Sequence, residues 1–342
     1  MATTYAIPDG RVAMAATLYT GNGSTQTINN SVNGVSFQPD LVWVKSRSNA
    51  YYGTLVDSVR GVDKYLYSAL TIAEETQTTA LSSFNSSGFS LNGSFGNVNA
   101  NAATYVGWQW KAGGTAVSNT AGSITSSVSA NTTAGFSVVT YIGTGSNATV
   151  GHGLGVAPSM VITKNRAASA NWLVYHASLG ATQYLGLNQT ISAQTNIVAW
   201  NNTAPTSTVF SIGTDSSVNG SSNTMVAYCF APVAGYSAFG KYTGNGSADG
   251  PFVYLGFRPR FIMLKRTDST GNWTMYDSTR SPYNASTYVL YPNLANAEDA
   301  STDHFDWLSN GFKMRSTNQN TSGGTFIYMA FAQNPFKYAS AV

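Results

Sequence analysis

Short apolar segments alternate with polar clusters along the whole chain. The apolar segments are five to seven residues long and rich in Val, Ile, Tyr, Phe and Trp, and the clusters between them consist of Gly, Asn, Ser and Asp. This pattern predicts many short strands joined by turns. The nearest candidate for an amphipathic helix, residues 65–76, lacks a clean stripe with a period of 3.6 residues. The sequence therefore predicts an all-β protein.

The apolar segments recur in the same order three times. A Tyr-x-Gly turn opens each copy and is followed by a proline and an apolar strand that ends in lysine. The turns begin at Tyr19, Tyr141 and Tyr242, and the lysines are Lys45, Lys164 and Lys265. The lysines are 119 and then 101 positions apart, and the tyrosines 122 and then 101. Such constant spacing indicates an internal repeat of one structural unit.

Four further landmarks follow each lysine in the same order. A polar residue comes twelve positions later, and a leucine-centred strand, a strand containing phenylalanine and a closing apolar strand come after it. The polar residues are Asp57, His176 and Asp277; the leucines are Leu66, Leu185 and Leu290; the phenylalanines are Phe89, Phe210 and Phe312; the last strands begin at Thr104, Thr224 and Thr325. Six landmarks in one order define three copies of about 100 residues, the usual size of two stacked sheets.

These spacings set the expected domain organisation. We expect three tandem antiparallel β-sandwich domains of jelly-roll-like type, over 1–112, 135–234 and 235–342, with an N-terminal arm in the first. Residues 113–134 are dominated by Gly, Ala, Ser, Thr and Asn and are expected to form a linker or a peripheral hairpin. Because only 232–237 separate the second and third copies, these two domains should pack closely. The sequence does not distinguish a triangle of domains from a string.

Composition and charge exclude several classes of function. Only 9% of the residues are charged, yet hydrophobic residues make up 43%, so a folded chain with a surface of neutral polar residues is expected. The net charge is +3 and no basic stripe is present, which argues against nucleic-acid binding. No apolar stretch is long enough to insert into a membrane, and the first residues do not resemble a leader.

The single cysteine fits assembly inside a cell. Cys229 lies in an apolar strand, where we expect a buried thiol that acts as a small hydrophobic group. One cysteine forms no intrachain disulfide, which suits a protein made in a reducing cytoplasm.

Three sets of residues recur between the copies: turn glycines, lysines at strand ends and ion pairs. A structural role is expected for each set. The repeated glycines of the Tyr-x-Gly turns are expected to supply positive φ angles. Lys45, Lys164 and Lys265 are expected to cover apolar strand ends, with a repeated basic ligand site as the alternative. Asp57 with Arg60, and Asp277 with Arg280, have the i, i+3 spacing of a loop-fixing ion pair. The second copy lacks this pair.

The tryptophans are the candidate ligand-binding residues. A flat apolar face with a polar edge suits stacking against a sugar ring. Trp43 and Trp108 lie in apolar strands and are expected to be core residues. Trp172 and Trp273 occupy matching positions beside predicted turns, and we take these two as surface candidates for sugar binding.

Nothing in the sequence nominates a catalyst. The histidines His152, His176 and His304 do not have the spacing of metal ligands, and no Gly-x-Ser-x-Gly motif marks a nucleophile. We therefore predict a non-enzymatic protein with no catalytic residue, metal site or cofactor.

Several motifs resemble repeat domains of tail-fibre and other virion proteins of tailed bacteriophages, particularly aquatic and cyanobacterial ones. The motifs are Val59-Arg60-Gly61-Val62-Asp63-Lys64-Tyr65-Leu66, Phe84-Asn85-Ser86-Ser87-Gly88-Phe89, Tyr105-Val106-Gly107-Trp108-Gln109-Trp110-Lys111-Ala112-Gly113-Gly114 and Ala330-Phe331-Ala332-Gln333-Asn334-Pro335-Phe336-Lys337. The resemblance covers most of the chain. The second copy departs most, because it lacks the Arg-Gly motif after His176.

The resemblance implies a structural protein on the exterior of a virion, assembled in the host cytoplasm. The first hypothesis is a tail fibre or host-adsorption protein whose loops contact host cell-surface glycans, with other virion proteins as partners. The second is a capsid decoration or head-fibre protein that docks through an exposed arm over residues 5–18. The third is an array of carbohydrate-binding modules. Multivalent display favours a homo-oligomer, and a trimer is expected.

Overall fold

The protein is described from a computed structural model, which places residues 7, 9–300 and 302–332. Strands account for 43% of the residues and helices for 5%, which confirms the all-β class. Residues 333–337 of the last resemblance motif, and residues 5, 6 and 8 of the expected arm, lie outside the described residues.

The first copy contains two antiparallel sheets. They pair in the orders β1-β9-β3-β4-β5-β6 and β2-β8-β7. Their strands are β1 (Met14–Thr20), β2 (Thr25–Asn29), β3 (Leu41–Ser46), β4 (Thr54–Asp57), β5 (Lys64–Tyr67), β6 (Glu75–Thr76), β7 (Leu81–Asn85), β8 (Gly88–Asn92) and β9 (Thr104–Trp110). A 3-10 helix (Gly10–Val12) precedes β1, and a one-turn helix, α1 (Gly96–Asn99), precedes β9.

The second copy repeats this plan with two strands added to the larger sheet and one strand fewer in the smaller sheet. Its sheets have the orders β10-β11-β12-β19-β14-β15-β16-β17 and β13-β18. The strands are β10 (Val117–Asn119), β11 (Ser126–Asn131), β12 (Phe136–Ile142), β13 (Ala148–Gly151), β14 (Met160–Asn165), β15 (Leu173–His176), β16 (Gln183–Gly186), β17 (Gln194–Thr195), β18 (Val209–Ile212) and β19 (Thr224–Phe230). Two one-turn helices, α2 (Ile197–Trp200) and α3 (Ser216–Asn219), flank β18.

The third copy has the orders β20-β26-β22-β23 and β21-β25-β24. Its strands are β20 (Ser237–Thr243), β21 (Phe252–Tyr254), β22 (Pro259–Arg266), β23 (Thr274–Asp277), β24 (Phe305–Leu308), β25 (Gly311–Met314) and β26 (Thr325–Ala332). The leucine-centred segment is not a named strand here, although Leu290 still bridges Met275. Sheets pair into sandwich-like units in all three copies. The strand orders do not establish a jelly roll, and that part of the expectation stays a prediction.

The larger sheet of each copy is buried on both faces. Along β3, Val42 and Val44 face the smaller sheet of the first copy, whereas Leu41 and Trp43 belong to a core that includes residues of all three copies. This two-sided burial explains why the sequence of β3 is continuously apolar rather than alternating, since each side chain meets protein on its own face. The three large sheets therefore enclose one shared core.

Three equivalent aromatic residues meet at the centre of that core. Trp110, Phe230 and Phe331 occupy matching positions near the ends of β9, β19 and β26. Their ring centroids lie 6.2 Å (Trp110 to Phe230), 5.8 Å (Trp110 to Phe331) and 6.0 Å (Phe230 to Phe331) apart. Nearly equal separations mark an internal pseudo-threefold axis. The three copies thus form a triangle and not a string.

Two segments differ from expectation. Within 113–134, β10 and β11 form an antiparallel hairpin that continues onto β12, so this segment extends the second copy's sheet and is not a free linker. Of the two expected forms of this segment, a linker or a peripheral hairpin, the structure has the hairpin. The expected docking arm is also not free from Met14 onward, because Met14, Ala15 and Ala16 are buried and β1 pairs with β9 along its full length, although Leu18 is 37% exposed.

Candidate functional site at the interfaces between copies

The repeated lysines join neighbouring copies. Each is buried, and its Nζ donates to the carbonyl six residues further on and to a carbonyl of the adjacent copy. Lys45 reaches Leu294 O at 2.8 Å, Lys164 reaches Thr71 O at 2.8 Å and Lys265 reaches Thr190 O at 3.2 Å. The first copy thus bonds to the third, the second to the first and the third to the second. Neither expected role of these lysines, covering an exposed strand end or facing a ligand, is correct.

Burial changes the proton affinity of these lysines. Desolvation lowers the pKa of Lys45 to about 7 and the pKa values of Lys164 and Lys265 to about 8. The physical cause is that a buried ammonium loses its hydration; at Lys265 the charge of Arg266 lowers the pKa further, and Asp268 offsets part of the effect.

A carboxylate bridges two arginines at two of the three interfaces. Between the first and second copies, Glu74 accepts from Arg166 at 2.8 Å and from Arg60 at 2.8 Å. Between the third and first copies, Glu298 accepts from Arg47 at 2.7 Å and from Arg280 at 3.0 Å. Burial would raise the pKa of Glu74, but the hydrogen bonds and charges of Arg166 and Arg60 hold it below its usual value. Each of these two interfaces is therefore closed by an Arg–Glu–Arg bridge.

The i, i+3 ion pairs are part of the same networks. Asp57 pairs with Arg60, and Asp277 with Arg280, each at 2.5 Å and with both side chains fully buried. The paired aspartates also accept hydrogen bonds from the neighbouring copy: Tyr228 donates to Asp57 at 2.8 Å, and Trp108 Nε1 donates to Asp277 at 3.0 Å. The expected loop-fixing pair is confirmed, and it also holds two copies together.

The interface between the second and third copies has a different chemistry. One backbone hydrogen bond is the same at both interfaces. Glu74 N donates to Arg166 O between the first and second copies, and Ala193 N donates to Thr267 O at 2.8 Å between the second and third. The side chains of the network are replaced: Leu179 stands where the first copy has Arg60, Ala193 where it has Glu74, and Thr267 where the second copy has Arg166. This interface therefore contains no counterpart of the Arg–Glu–Arg bridge.

His176 stands at this interface where the other copies have aspartate. Its Nδ1 accepts from Ser178 N at 3.2 Å, which leaves Nε2 to donate to Tyr328 O of the third copy at 3.2 Å. Burial lowers the pKa of His176 to about 4, so the ring is neutral near pH 7. A neutral hydrogen-bond donor thus stands where the other two copies have an aspartate that accepts hydrogen bonds.

A cavity of about 370 Å³ opens at the altered interface. Leu179, Ala193 and Thr267, the three replaced residues, all line it, together with Gln183 and Lys241. The cavity occupies the position where the other two interfaces hold their bridging network.

The two tryptophans expected at the surface are buried. Trp172 is 0% exposed and Trp273 is 1% exposed. Their indole N–H groups donate across interfaces, from Trp172 to Tyr67 O at 2.9 Å and from Trp273 to Gly186 O at 2.8 Å. Their faces are closed to a ligand, and the expectation of a surface position is wrong. They lie next to predicted turns, but a neighbouring copy covers those turns.

The Tyr-x-Gly turns are fixed by asparagines that the sequence analysis missed. Asn219 is fully buried, accepts from Thr144 N at 2.7 Å and donates to Ser146 O at 2.6 Å. Asn99 and Asn320 do the same in the other copies. Each asparagine lies five positions before the threonine that begins the closing strand, and this constant spacing was a usable signal.

The two glycines of each turn have different roles. Gly145 has φ +71°, as expected, but Gly143 does not have a positive φ. A Cβ on Gly143 would lie 2.2 Å from Gly220 O, so this position requires glycine because another backbone segment passes against it.

The most exposed aromatic pair lies in the third copy. Phe252 and Tyr254 of β21 are 46% and 67% exposed, and their ring centroids are 6.5 Å apart. Strand register places Thr149 and Gly151 at the matching positions of the second copy, so the pair is particular to the third. Lys313, directly opposite Phe252 on β25, pairs with Asp249 at 2.6 Å. The result is an aromatic surface with a charged border.

The described ranges 9–300 and 302–332 contain neither a cluster of metal-ligating side chains nor a membrane-spanning helix. Those residues contain no group of three His, Cys, Asp or Glu side chains that could hold a metal ion. None of the helices in 9–300 and 302–332 has the length and apolar character needed to cross a membrane. Cys229 is buried as expected, and burial raises the pKa of its thiol.

Comparisons with known proteins give one match. The curated proteins and the solved structures yield none. A family described as a domain of unknown function, DUF7483, matches residues 12–335, a range that includes all three copies. The family model therefore covers the three copies together and not a single copy. On this match the chain belongs to the DUF7483 family, a domain of unknown function.

Proposed function

We propose that this protein is an exterior virion component of a tailed bacteriophage, a tail fibre or host-adsorption protein that presents β-sandwich domains to the host surface. The observation that carries the proposal is the closed triangle around Trp110, Phe230 and Phe331. One chain supplies a threefold arrangement that fibre proteins ordinarily obtain from closed symmetric assemblies.

Ring closure suits a protein that works outside the cell. Each copy packs against two others, and the first and third are joined by the Arg47–Glu298 pair and by Lys45. Local opening of one copy must therefore break contacts with both neighbours. This mutual support stabilises the fold without a disulfide, since Cys229 is the single cysteine. The proposal includes assembly in a reducing host cytoplasm followed by release.

The exposed pair Phe252 and Tyr254 supports host adsorption over a purely structural role. Two adjacent exposed aromatic rings offer flat apolar faces that suit stacking against a sugar, and the polar border formed by Lys313 and Asp249 suits a hydroxyl-rich partner. The proposed partner is a host cell-surface glycan. Association with other virion proteins, and a homotrimer of chains, are further parts of the proposal.

The two alternatives receive less support. A capsid decoration protein was expected to dock through an exposed arm over residues 5–18, but β1 is paired with β9 from Met14 onward, and of this stretch Val12 and Leu18 are exposed while Met14 and Ala15 are buried. An array of independent carbohydrate-binding modules would present equivalent sites on separate domains. Here the matching residues Trp172 and Trp273 are buried at interfaces between copies.

Immunogold labelling of intact particles tests the location. An antibody against this chain should label the tail, and label confined to the head would overturn the adsorption proposal in favour of decoration. Light scattering of the purified protein measures whether its mass is one or three times the 36.1 kDa of the chain.

An adsorption assay tests the aromatic surface. The purified chain should compete with phage for host cells, and the double variant Phe252→Ser/Tyr254→Ser should compete about tenfold less well, because it loses the stacking area. The matched control is Val117→Ser, which removes an apolar side chain that is 65% exposed on the second copy. Equal loss in both variants would argue against a specific role for the aromatic pair.

A further inference from the structure

The pseudo-threefold symmetry is broken at one interface, and the break is a cavity. At the interface between the first and second copies, the space beside the backbone contact is filled by Arg60, Glu74 and Arg166. The matching space between the second and third copies is bordered by Leu179, Ala193 and Thr267 and is open, with a volume of about 370 Å³. Two guanidinium groups and a carboxylate have been replaced by shorter or apolar side chains.

The replacement removes a polar connection that the other two interfaces have. A bridging carboxylate between two arginines joins the neighbouring copies there. Here the polar connection is made by backbone bonds and by the side chains of Lys265, His176 and Trp273. A concave site at a domain interface is also where small-molecule sites are preferentially found.

The lining of this cavity offers both apolar and polar surface. Leu179 and Ala193 provide partly exposed apolar surface, whereas Ile327 is 2% exposed and presents little of its side chain to the cavity. The amide of Gln183 and the ammonium of Lys241 make no hydrogen bond or ion pair within the described ranges, so their donors and acceptors are available. An amide offers both a donor and an acceptor, and an ammonium offers three donors.

The lining of the cavity contains one ammonium group and one carboxylate, and the carboxylate is paired with Arg266 at 2.9 Å. Lys241 brings one positive charge, and Asp268 brings one negative charge. Hydrogen bonding to Arg266 lowers the pKa of Asp268 to about 2, so it is ionised at any ordinary pH. No arginine lines the cavity, unlike sites that bind phosphate or carboxylate groups through a bidentate guanidinium. The lining therefore suits a neutral ligand rich in hydroxyl groups.

We propose that this cavity binds one neutral hexose unit of a host-surface glycan. The inference rests on the proposed adsorption function and names the ligand class and a second contact point for it. The apolar surface of Leu179 and Ala193 packs against the C–H face of the pyranose ring, while Gln183 and Lys241 bond its hydroxyl groups. The volume is at the lower end of the range of about 300–1,000 Å³ for ligand pockets, which limits the site to a single ring.

Ligand-observed NMR and calorimetry on the full chain test this proposal. The probes are the methyl glycosides of glucose, galactose, mannose and N-acetylglucosamine, with N-acetylneuraminic acid as the anionic comparison. We expect saturation transfer to at least one neutral glycoside, with Kd on the order of 1 mM. Binding of the anionic sugar alone, or of no probe at concentrations on the order of ten times that Kd, would overturn the proposal.

The symmetry of the chain supplies the blocking variant. Ala193→Glu/Thr267→Arg installs the ion pair that Glu74 and Arg166 form at the equivalent interface, and it should fill the cavity while keeping the fold. Binding should weaken about tenfold or more. Lys241→Ala should also weaken glycoside binding, because it removes a hydrogen-bond donor without filling the cavity. The control Thr140→Ala lies in a different hollow, of about 350 Å³, and should bind like the unmodified chain.

The outcomes separate this inference from the proposed function. Unchanged binding in the filled variant, with the fold verified by near-UV circular dichroism, would place the sugar elsewhere, for example on Phe252 and Tyr254. That result would overturn the cavity site and leave adsorption intact. If the filled variant loses sugar binding but immunogold label lies on the head, the cavity site is supported and the adsorption function is overturned.

Discussion

The carboxylate of Glu298 lies 2.7 Å from a guanidinium nitrogen of Arg47, and this ion pair closes the triangle by joining the third copy to the first. The pair between Glu74 and Arg166 makes the equivalent connection between the first and second copies at 2.8 Å. The backbone contacts beside the two pairs also match, since Glu298 N donates to Arg47 O and Glu74 N donates to Arg166 O, both at 2.8 Å. Interfaces that are far apart in sequence are thus built from one pattern.

Removing the ring-closing carboxylate should be costly. Glu298→Gln leaves Arg47 and Arg280 without their shared negative charge, and the Glu298 side chain is only 8% exposed. We expect the free energy of unfolding to fall by about 3 kcal/mol, because breaking a buried pair leaves an uncompensated charge. Urea denaturation measures the change. Asp63→Asn, which breaks an exposed pair with Lys64, is the control and should cost less than about 1 kcal/mol. An equal fall in the free energy of unfolding for both variants would show that the Glu298 bridge does not stabilise the closed triangle.

The buried lysines should make stability depend on pH. In the unfolded chain Lys45 has a pKa near 10.5, whereas burial lowers it to about 7 in the folded protein. Between these values the unfolded state binds more protons, so the free energy of unfolding rises with pH from about 7 to about 10. Lys45→Met should reduce that slope by up to about 1.4 kcal/mol per pH unit. Denaturation curves at several pH values provide the slope. An unchanged slope would show that the carbonyl acceptors keep Lys45 protonated.

The buried asparagines should be necessary for the glycine turns. Asn219→Ala removes the acceptor of Thr144 N and the donor to Ser146 O and Gly213 O. We expect a loss of about 3 kcal/mol in the free energy of unfolding, since buried polar backbone groups lose their partners. Thermal melts measure it. In the control, Asn147→Ala, the exposed side chain loses one bond to Asn201, and the melting temperature should change little. Similar melts for both variants would contradict the role assigned to Asn219.

Close backbone packing at Gly143 gives a separate test. A Cβ there would meet Gly220 O at 2.2 Å, so Gly143→Ala should destabilise the second copy by about 3 kcal/mol or more through a clash with the main chain. Gly180→Asn is the matched control, because Gly180 has φ +78° and open space around its Cβ position. Asparagine tolerates that conformation, and its cost should stay below about 1 kcal/mol. Chemical denaturation distinguishes the two, and a tolerated Gly143→Ala would show that the turn can shift.

The sequence by itself determined the class of fold and the internal repetition. The apolar segments predicted the strands because β-branched and aromatic residues between turn residues have few other solutions. The i, i+3 spacing predicted the Asp57–Arg60 pair, and an apolar strand predicted the burial of Cys229. These are local features, in which the interacting groups are neighbours along the chain.

Only the tertiary structure decided how the copies are arranged and what their repeated residues do. Lys45 bonds a carbonyl 249 positions away, and Trp172 is buried against Tyr67 of another copy. Neither partner is implied by periodicity or propensity, because closing the ring is a property of three surfaces that fit together. The same holds for the cavity beside Leu179, Ala193 and Thr267. Replacing a bridged carboxylate by alanine opens a space only where a neighbouring copy forms the other wall.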